Sequence, residues 1–255
     1  MSIELIKGDC LVEMKNIADK SVQLICTDLP YGTTPLEFDK EIIPFEPLWK
    51  EYKRIIKDDG AIVLFAQQPF TSKLIMSNLE MYKYNWVWIK DNATNFLNKR
   101  YQCGKITEDI CVFGKGATSF CKGNINMKYN PQMTKGKPYK TTNNVERRTN
   151  AVIRGDIRNI ETVNYGDRLP NNVLYYNRDS EKLHPTQKPL DLIRYLIKTY
   201  TDENDLVLDS CMGSGTTAIG CFAEKRNFIG YEIDDEYFEI AKKRYEKETT
   251  SIFDL

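Results

Sequence analysis

Asp28, Pro30 and Tyr31 follow directly on an apolar run, Val22 to Cys26, that reads as a buried strand. A carboxylate at the carboxyl end of a strand accepts hydrogen bonds from an amine, and an aromatic ring beside it offers a stacking face. In open α/β sheets that edge is where ligands bind. The trio suits a planar base with an exocyclic amine, and it also fits a capped strand end with a proline turn. A second group lies near the other end of the chain, Asp209-Ser210-Cys211-Met212-Gly213-Ser214-Gly215-Thr216-Thr217. Its glycines let backbone approach a ligand closely in a tight turn. Gly213 to Ala218 fits G-x-G-x-x-A, a pattern shared with dinucleotide-binding enzymes. Asp209 precedes the loop, and Glu232, seventeen positions after Gly215, ends the next strand. An acid placed there can accept from both hydroxyls of a ribose.

The elements that must position these groups alternate. Ile3 to Lys7 reads as a strand, with Asp9 and Cys10 at its end and a helix from Leu11 to Ala18. Asp9 could serve a ligand amine or cap that helix. Glu41 to Lys57 has helical spacing and meets a stop signal at Asp58-Asp59-Gly60. Ala61 to Ala66 is a second buried strand, Thr71 to Leu79 a helix, and Tyr84 to Ile89 and Asp109 to Phe113 further strands. Trp86 and Trp88 share one face and read as packing. Leu190 to Thr199 is an amphipathic helix whose Leu192, Ile193, Leu196 and Ile197 point inward. Asp205 to Leu208 and Asn227 to Tyr231 are strands flanking a helix at Thr217 to Phe222, and Asp234-Asp235-Glu236 starts the last helix. Strand and helix in turn predict an α/β fold with a doubly wound, mostly parallel sheet.

From Lys115 to about Ser180 the alternation stops, and Asn, Thr, Lys, Arg and Tyr dominate. The whole chain has 255 residues and zero formal net charge, yet Lys115 to Arg158 carries ten basic residues against two acidic, an excess of eight. Such a local positive surface suits phosphate neutralisation; it also describes a solvated basic loop. Hydrophobic content of 41% supports a real core. No apolar run is long enough to span a membrane, and the N-terminus has no signal-peptide pattern. The seven cysteines are scattered without a C-x-x-C pair, and His184 is the only histidine. Neither zinc nor any other metal is expected, and reduced cytosolic thiols are. His184 reads as a cap or pocket wall rather than a general base.

Asp28-Leu29-Pro30-Tyr31 resembles the D-P-P-Y motif of the DNA amino-methyltransferases, with Leu29 where the first proline usually stands. The stretch from Asp209 to Thr217 resembles that family's S-adenosylmethionine loop, and His184-Pro185-Thr186-Gln187-Lys188-Pro189 its preceding segment. A catalytic motif ahead of the cofactor motif, with a recognition segment between, is the order of the β group. The resemblance implies a Rossmann-like methyltransferase fold with permuted motif order. Residues 1–114 would form the catalytic half, 115–180 an inserted target-recognition segment and 181–255 the cofactor-binding half.

It further implies transfer of methyl from S-adenosylmethionine to adenine N6 in duplex DNA with base flipping, leaving S-adenosylhomocysteine. Asp28, Leu29 (through its carbonyl), Pro30 and Tyr31 would form the catalytic group. Asp9, Cys10, Asp28, Gln187, Lys188, Asp209, Met212, Gly213, Ser214, Gly215, Thr216 and Glu232 would bind the cofactor. Asn92, Lys99, Arg100, Lys135, Lys137, Arg147 and Arg148 are the residues expected at the DNA. A cytoplasmic protein of a bacterium or phage-infected cell is implied, with a homodimer and a cognate restriction endonuclease compatible with it. Cytosine-N4 methylation needs the same groups, and RNA is a further substrate class. A nicotinamide oxidoreductase would use the glycine loop but leaves Asp28 to Tyr31 unexplained. A non-catalytic DNA-binding protein would not need them.

Overall fold

The computed structural model describes residues 1–33, 39–119, 125–142, 161–180 and 183–250. Arg147 and Arg148 lie outside them. The chain divides into a larger unit, Met1–Asn130 with Asn172–Leu255, and a smaller one, Pro131–Asn171.

The larger unit is built on one eight-stranded sheet. Its strands are β1 (Ile3–Lys7), β2 (Val22–Thr27), β3 (Ile56–Ala66), β4 (Tyr82–Ile89), β5 (Thr107–Gly114), β10 (Val173–Tyr175), β11 (Leu206–Asp209) and β12 (Asn227–Glu232). Their order across the sheet is β1-β12-β11-β2-β3-β5-β4-β10, all parallel except β5, which runs against both neighbours. β3 shows why the sheet is covered twice. Ala61, Val63 and Phe65 join the core on one face, while Ile62, Leu64 and Ala66 join that on the other. The first face is covered by α4 (Leu190–Tyr200), α5 (Thr216–Ala223) and α6 (Asp235–Thr250). The second is covered by α1 (Cys10–Glu13), α2 (Phe45–Ile55) and α3 (Phe70–Ser77). All six residues of β2 are buried, so the strand needs no polar face. Each fully buried Leu or Ile contributes roughly 1.5–3 kcal/mol.

Three sequence expectations change. Asp58-Asp59-Gly60 does not stop an element; it lies inside β3, which begins at Ile56. Val22 pairs with Ile56 and Leu24 with Ala61, so the intervening residues bulge out of register. The helix expected over Leu11 to Ala18 is only Cys10–Glu13 followed by a 3-10 turn, Met14–Asn16. The segment expected to begin at 115 and end at 180 is narrower as a separate unit. Lys128 forms ion pairs with Asp202 and Asp205, Asn130 donates to the Thr201 carbonyl, and β10 adds to β4 as a parallel edge strand.

The smaller unit contains two antiparallel ladders. One joins β6 (Thr134–Lys135) to β9 (Asp167–Arg168), the other β7 (Tyr139–Thr142) to β8 (Glu161–Asn164). Gly166 turns back with φ +109°, and its carbonyl accepts from Gly136 N.

Candidate active site

β2 and β11 are parallel neighbours, with Val207 beside Leu24 and Leu208 beside Ile25. This pairing brings together two stretches nearly two hundred positions apart. The Thr27 hydroxyl donates to Asp209 Oδ1 at 2.7 Å, and Thr217 donates to Oδ2 at 2.6 Å. Cys211 N donates to Oδ1 at 3.1 Å. Asp209 is thereby a knot between β2, β11 and α5; burial raises its carboxyl to about 6 against the pull of these donors. Above the knot opens a cavity of about 1150 Å³. Asp28, Leu29, Pro30 and Tyr31 line it together with Met212, Gly213, Ser214 and Thr216.

The loop between β11 and α5 turns through two left-handed glycines, Gly213 at φ +50° and Gly215 at φ +76°. Gly213 N donates to Glu232 Oε2 at 2.8 Å, and Asp234 N donates to Oε1 at 2.9 Å. Each Glu232 oxygen thus spends one acceptor position on backbone. Burial raises the Glu232 carboxyl despite these donors. Asp9 caps α1 by accepting from Leu11 N at 2.8 Å, and with Cys10 it also lines the cavity. Gln187 Oε1 accepts from Leu183 N and Ser214 Oγ, tying the segment before α4 to the glycine loop. His184 packs its ring against Tyr237 at 4.1 Å and near Gly213. Burial and the nearby Lys188 lower its imidazole to about 4, so it is neutral at pH 7 and forms part of the wall.

On the other side, Asp28 accepts from the Tyr31 hydroxyl at 2.6 Å and from the Lys188 ammonium at 2.6 Å. Lys188 also meets Glu108 Oε1 at 2.9 Å, and Glu108 Oε2 meets Lys90 at 2.6 Å. The sequence points to Lys188 as a cofactor residue; here its ammonium is in this chain of charges. Burial works against Lys188, but Asp28 and Glu108 outweigh it and hold its ammonium above the ordinary lysine range. Burial opposes the Glu108 charge too, yet Lys188 and Lys90 hold its carboxyl below normal. Asp28 lies above normal, because burial and Glu108 together exceed the effect of Lys188.

The Tyr31 ring stacks on Phe70, centroids 4.9 Å apart. Asp39 holds the following turn by accepting from Tyr31, Gly32 and Thr33 N at 2.5–3.2 Å. Glu108, Lys90, Asp39 and Phe70 escape the sequence reading. A charged residue near the start of an otherwise buried strand is the one sequence signal at Glu108. Its use was hidden because β5 is antiparallel, which brings its start to the edge where the other strands end.

Asn92, Lys99 and Arg100 lie in the exposed connection between β4 and β5. Asn95 braces that connection by donating to the Cys103 carbonyl and accepting from Lys105 N. Lys135 and Lys137 are exposed in the smaller unit, where Lys135 pairs with Asp167.

Fold and cavity together define an α/β domain of the methyltransferase type, a glycine loop and an acid–aromatic stretch meeting at one sheet edge. A family model described as DNA methylase matches residues 22–243, and the chain belongs to that family. It is 31% identical over 266 residues to "Type II methyltransferase M.HpaI" of Haemophilus parainfluenzae, covering 97% of this chain and 76% of that protein. It is 28% identical to "DNA adenine methyltransferase YhdJ" of Escherichia coli (strain K12), covering 94% and 81%. The crystal structure of the M1.HpyAVI–SAM complex is similar at TM-score 0.59 and 25% identity, covering 95% of this chain and 99% of that one.

Proposed function

We propose that the chain methylates the exocyclic N6 amine of adenine in duplex DNA, using S-adenosylmethionine and taking the base out of the helix. The observation that carries this reading is one cavity lined both by Asp28–Tyr31 and by Met212, Gly213, Ser214 and Thr216. Likeness to an adenine methyltransferase and to a SAM complex supports the choice of base and cofactor.

The residues fit the cofactor. Glu232 keeps acceptor capacity at the end of β12 for ribose hydroxyls, and the glycine loop adopts a left-handed backbone free of side chains at Gly213 and Gly215. Asp9, Cys10, Gln187, Met212, Ser214 and Thr216 complete that side, with Asp209 holding the loop from beneath. When bound, S-adenosylmethionine supplies an electrophilic methyl group and leaves as S-adenosylhomocysteine.

The amine of adenine is conjugated and a poor nucleophile. Asp28 accepts one of its protons in a hydrogen bond and the Leu29 carbonyl the other, which turns the nitrogen towards a tetrahedral shape. Leucine keeps the carbonyl a proline would present. Pro30 and the Asp39-braced turn hold these acceptors, and Tyr31 stacks on the base. To receive the amine, Asp28 Oδ1 exchanges the Tyr31 hydroxyl for it. Turning out the base costs a few kcal/mol, met by protein contacts. Holding the reactants in place supplies much of the acceleration.

Exposed basic residues of the connection after β4 (Lys99, Arg100, beside Asn92) and of the smaller unit (Lys135, Lys137) would meet phosphates. The activity belongs to the cytoplasm of a bacterial or phage-infected cell; among the described residues no helix is long and apolar enough to cross a membrane. The Type II relatives support a companion restriction endonuclease, and protection of cellular DNA from cleavage tests it. Sedimentation tests a homodimer.

The direct experiment incubates the protein with methyl-labelled S-adenosylmethionine and duplex DNA, then separates the nucleosides. N6-methyl-2′-deoxyadenosine supports the reading. N4-methylcytosine replaces the target base, and label in RNA alone or nowhere ends the proposal.

A further inference from the structure

Four charged groups from four separate segments form one line in the cavity wall. Asp28 follows β2, Glu108 is the second residue of β5, Lys90 follows β4 and Lys188 precedes α4. Lys90, Lys188 and Glu108 are almost wholly enclosed, with side chains 9%, 9% and 6% exposed. Asp28 is 20% exposed and faces the cavity. Each ammonium also sits 5.0 Å from an aromatic centroid, Lys90 over Trp88 and Lys188 over Phe65. Burying two ion pairs rarely repays the desolvation in stability. A dry charge chain ending on a reactive carboxylate therefore needs another reason to exist.

The charges supply it. Two carboxylates and two ammoniums sum to zero. Without Glu108, two ammoniums would face Asp28 alone, and the wall would oppose the positive charge that develops on the amine as it bonds to carbon.

We infer that Glu108 is a positioning residue for methyl transfer. Backed by Lys90, it holds Lys188 against Asp28 Oδ2 and keeps the four-charge group neutral, so that the positive charge developing on the amine meets no net opposing charge. This deepens the methyl-transfer reading and rests on it.

The groups facing Asp28 are Lys188 from the segment before α4, Glu108 from β5 with Lys90 behind it, and the Tyr31 hydroxyl from its own loop. Asp209 at the end of β11 and the Cys26 thiol of β2 lie within electrostatic range of it. Among these, Glu108 raises the Asp28 carboxyl. Glu108→Gln therefore moves the Asp28 titration to lower pH. Since Asp28 must be ionised, the acid limb of the rate profile moves down with it, while the plateau itself falls.

The test uses the full chain with Glu108→Gln and with the charge-balanced pair Glu108→Gln/Lys90→Met. Single-turnover methylation is measured at saturating cofactor and DNA across pH. The Asp28 carboxyl is titrated by carbon NMR in cofactor-free protein, with Asp28→Asn for assignment. Glu108→Gln should lower the plateau about tenfold or more. It should also shift both titrations to lower pH. Adding Lys90→Met should recover the plateau to within about threefold of the parent. A parent-like plateau with an unmoved Asp28 titration overturns the inference, and so does a loss that Lys90→Met does not relieve. Should Glu108→Gln fail to fold, the double variant decides: a near-parent rate supports the inference and an inactive folded protein overturns it. A parent protein that methylates no DNA refutes the functional reading instead, and the Asp28 titration still decides whether Glu108 governs that carboxylate.

Discussion

The larger unit encloses a chain of charges at its cavity, whereas the described lysine–carboxylate pairs of the smaller unit stand in water. The side chains of Lys188 and Glu108 are 9% and 6% exposed and meet at 2.9 Å. In the smaller unit Lys135 pairs with Asp167 and Lys140 with Glu161, but the lysine side chains are 86% and 64% exposed. Exposed pairs of that kind contribute roughly 0–1 kcal/mol. β2 is buried end to end, whereas Tyr165 and Leu169 of the smaller unit stand 85% and 68% exposed. Two-stranded ladders are marginal alone, while a sheet packed on both faces carries its own core. The larger unit therefore holds a preset constellation of enclosed charges. The smaller offers basic and aromatic groups suited to being ordered against a polyanion.

The largest expected effect lies in the enclosed unit. Asp28→Ala should lower methylation on the order of 10³-fold or more, as loss of a positioned proton acceptor does. Cofactor affinity by calorimetry should stay close to the parent value; activity within tenfold of the parent would remove Asp28 from the chemistry. Next, Gly215→Val forces a branched side chain onto φ +76°, with its Cβ 3.1 Å from that of Ala241. Strain on the order of 1–3 kcal/mol is then expected in the loop. Cofactor affinity should fall by about tenfold or more. Unchanged calorimetric binding would show that the loop's backbone shape is not used.

In the open unit, Lys135→Glu with Lys137→Glu should weaken DNA binding and reduce the slope of log K against log salt by up to about 2. The rate at saturating DNA should not change, and an unchanged slope would take these lysines off the phosphates. The smallest effect is on stability. The neutral His184, lowered to about 4, binds its proton more weakly folded than unfolded. Its contribution is complete above the unfolded value near 6.5 and is lost as pH falls from there towards 4. Partial exposure limits this to about 1 kcal/mol between pH 7 and 5. His184→Gln should remove that share of the acid destabilisation in urea titrations, and an identical pH slope would place the ring in solvent.

Legibility followed the same division. The apolar run of β2, the alternation around it and the inward face of α4 were readable because burial on a periodic backbone leaves a periodic pattern. Asp234 was readable as a helix start, and its Oδ1 accepts from Glu236 and Tyr237 N. β10 was missed because three residues at a sheet edge leave too short a pattern. The bulge at Asp58-Asp59-Gly60 reads as an ending in the sequence, since a bulge and a turn use the same residue types. At the site, the acid–aromatic stretch and the glycine loop could be found separately. The acid that braces Asp28's turn, Asp39, and the one that steadies Lys188, Glu108, could not.

By itself the sequence determined most strands and helices of the larger unit, which of them are dry, and two stretches whose groups are suited to chemistry. Hydrophobic period and turn chemistry act over a few residues, so they are written locally. Only the tertiary structure decided that Thr27 meets Asp209, that β5 runs backwards, and that Lys90, Glu108, Lys188 and Asp28 form one charge chain. Those contacts join residues far apart in sequence through the order and direction of strands, and a side chain's local neighbours hold no record of either.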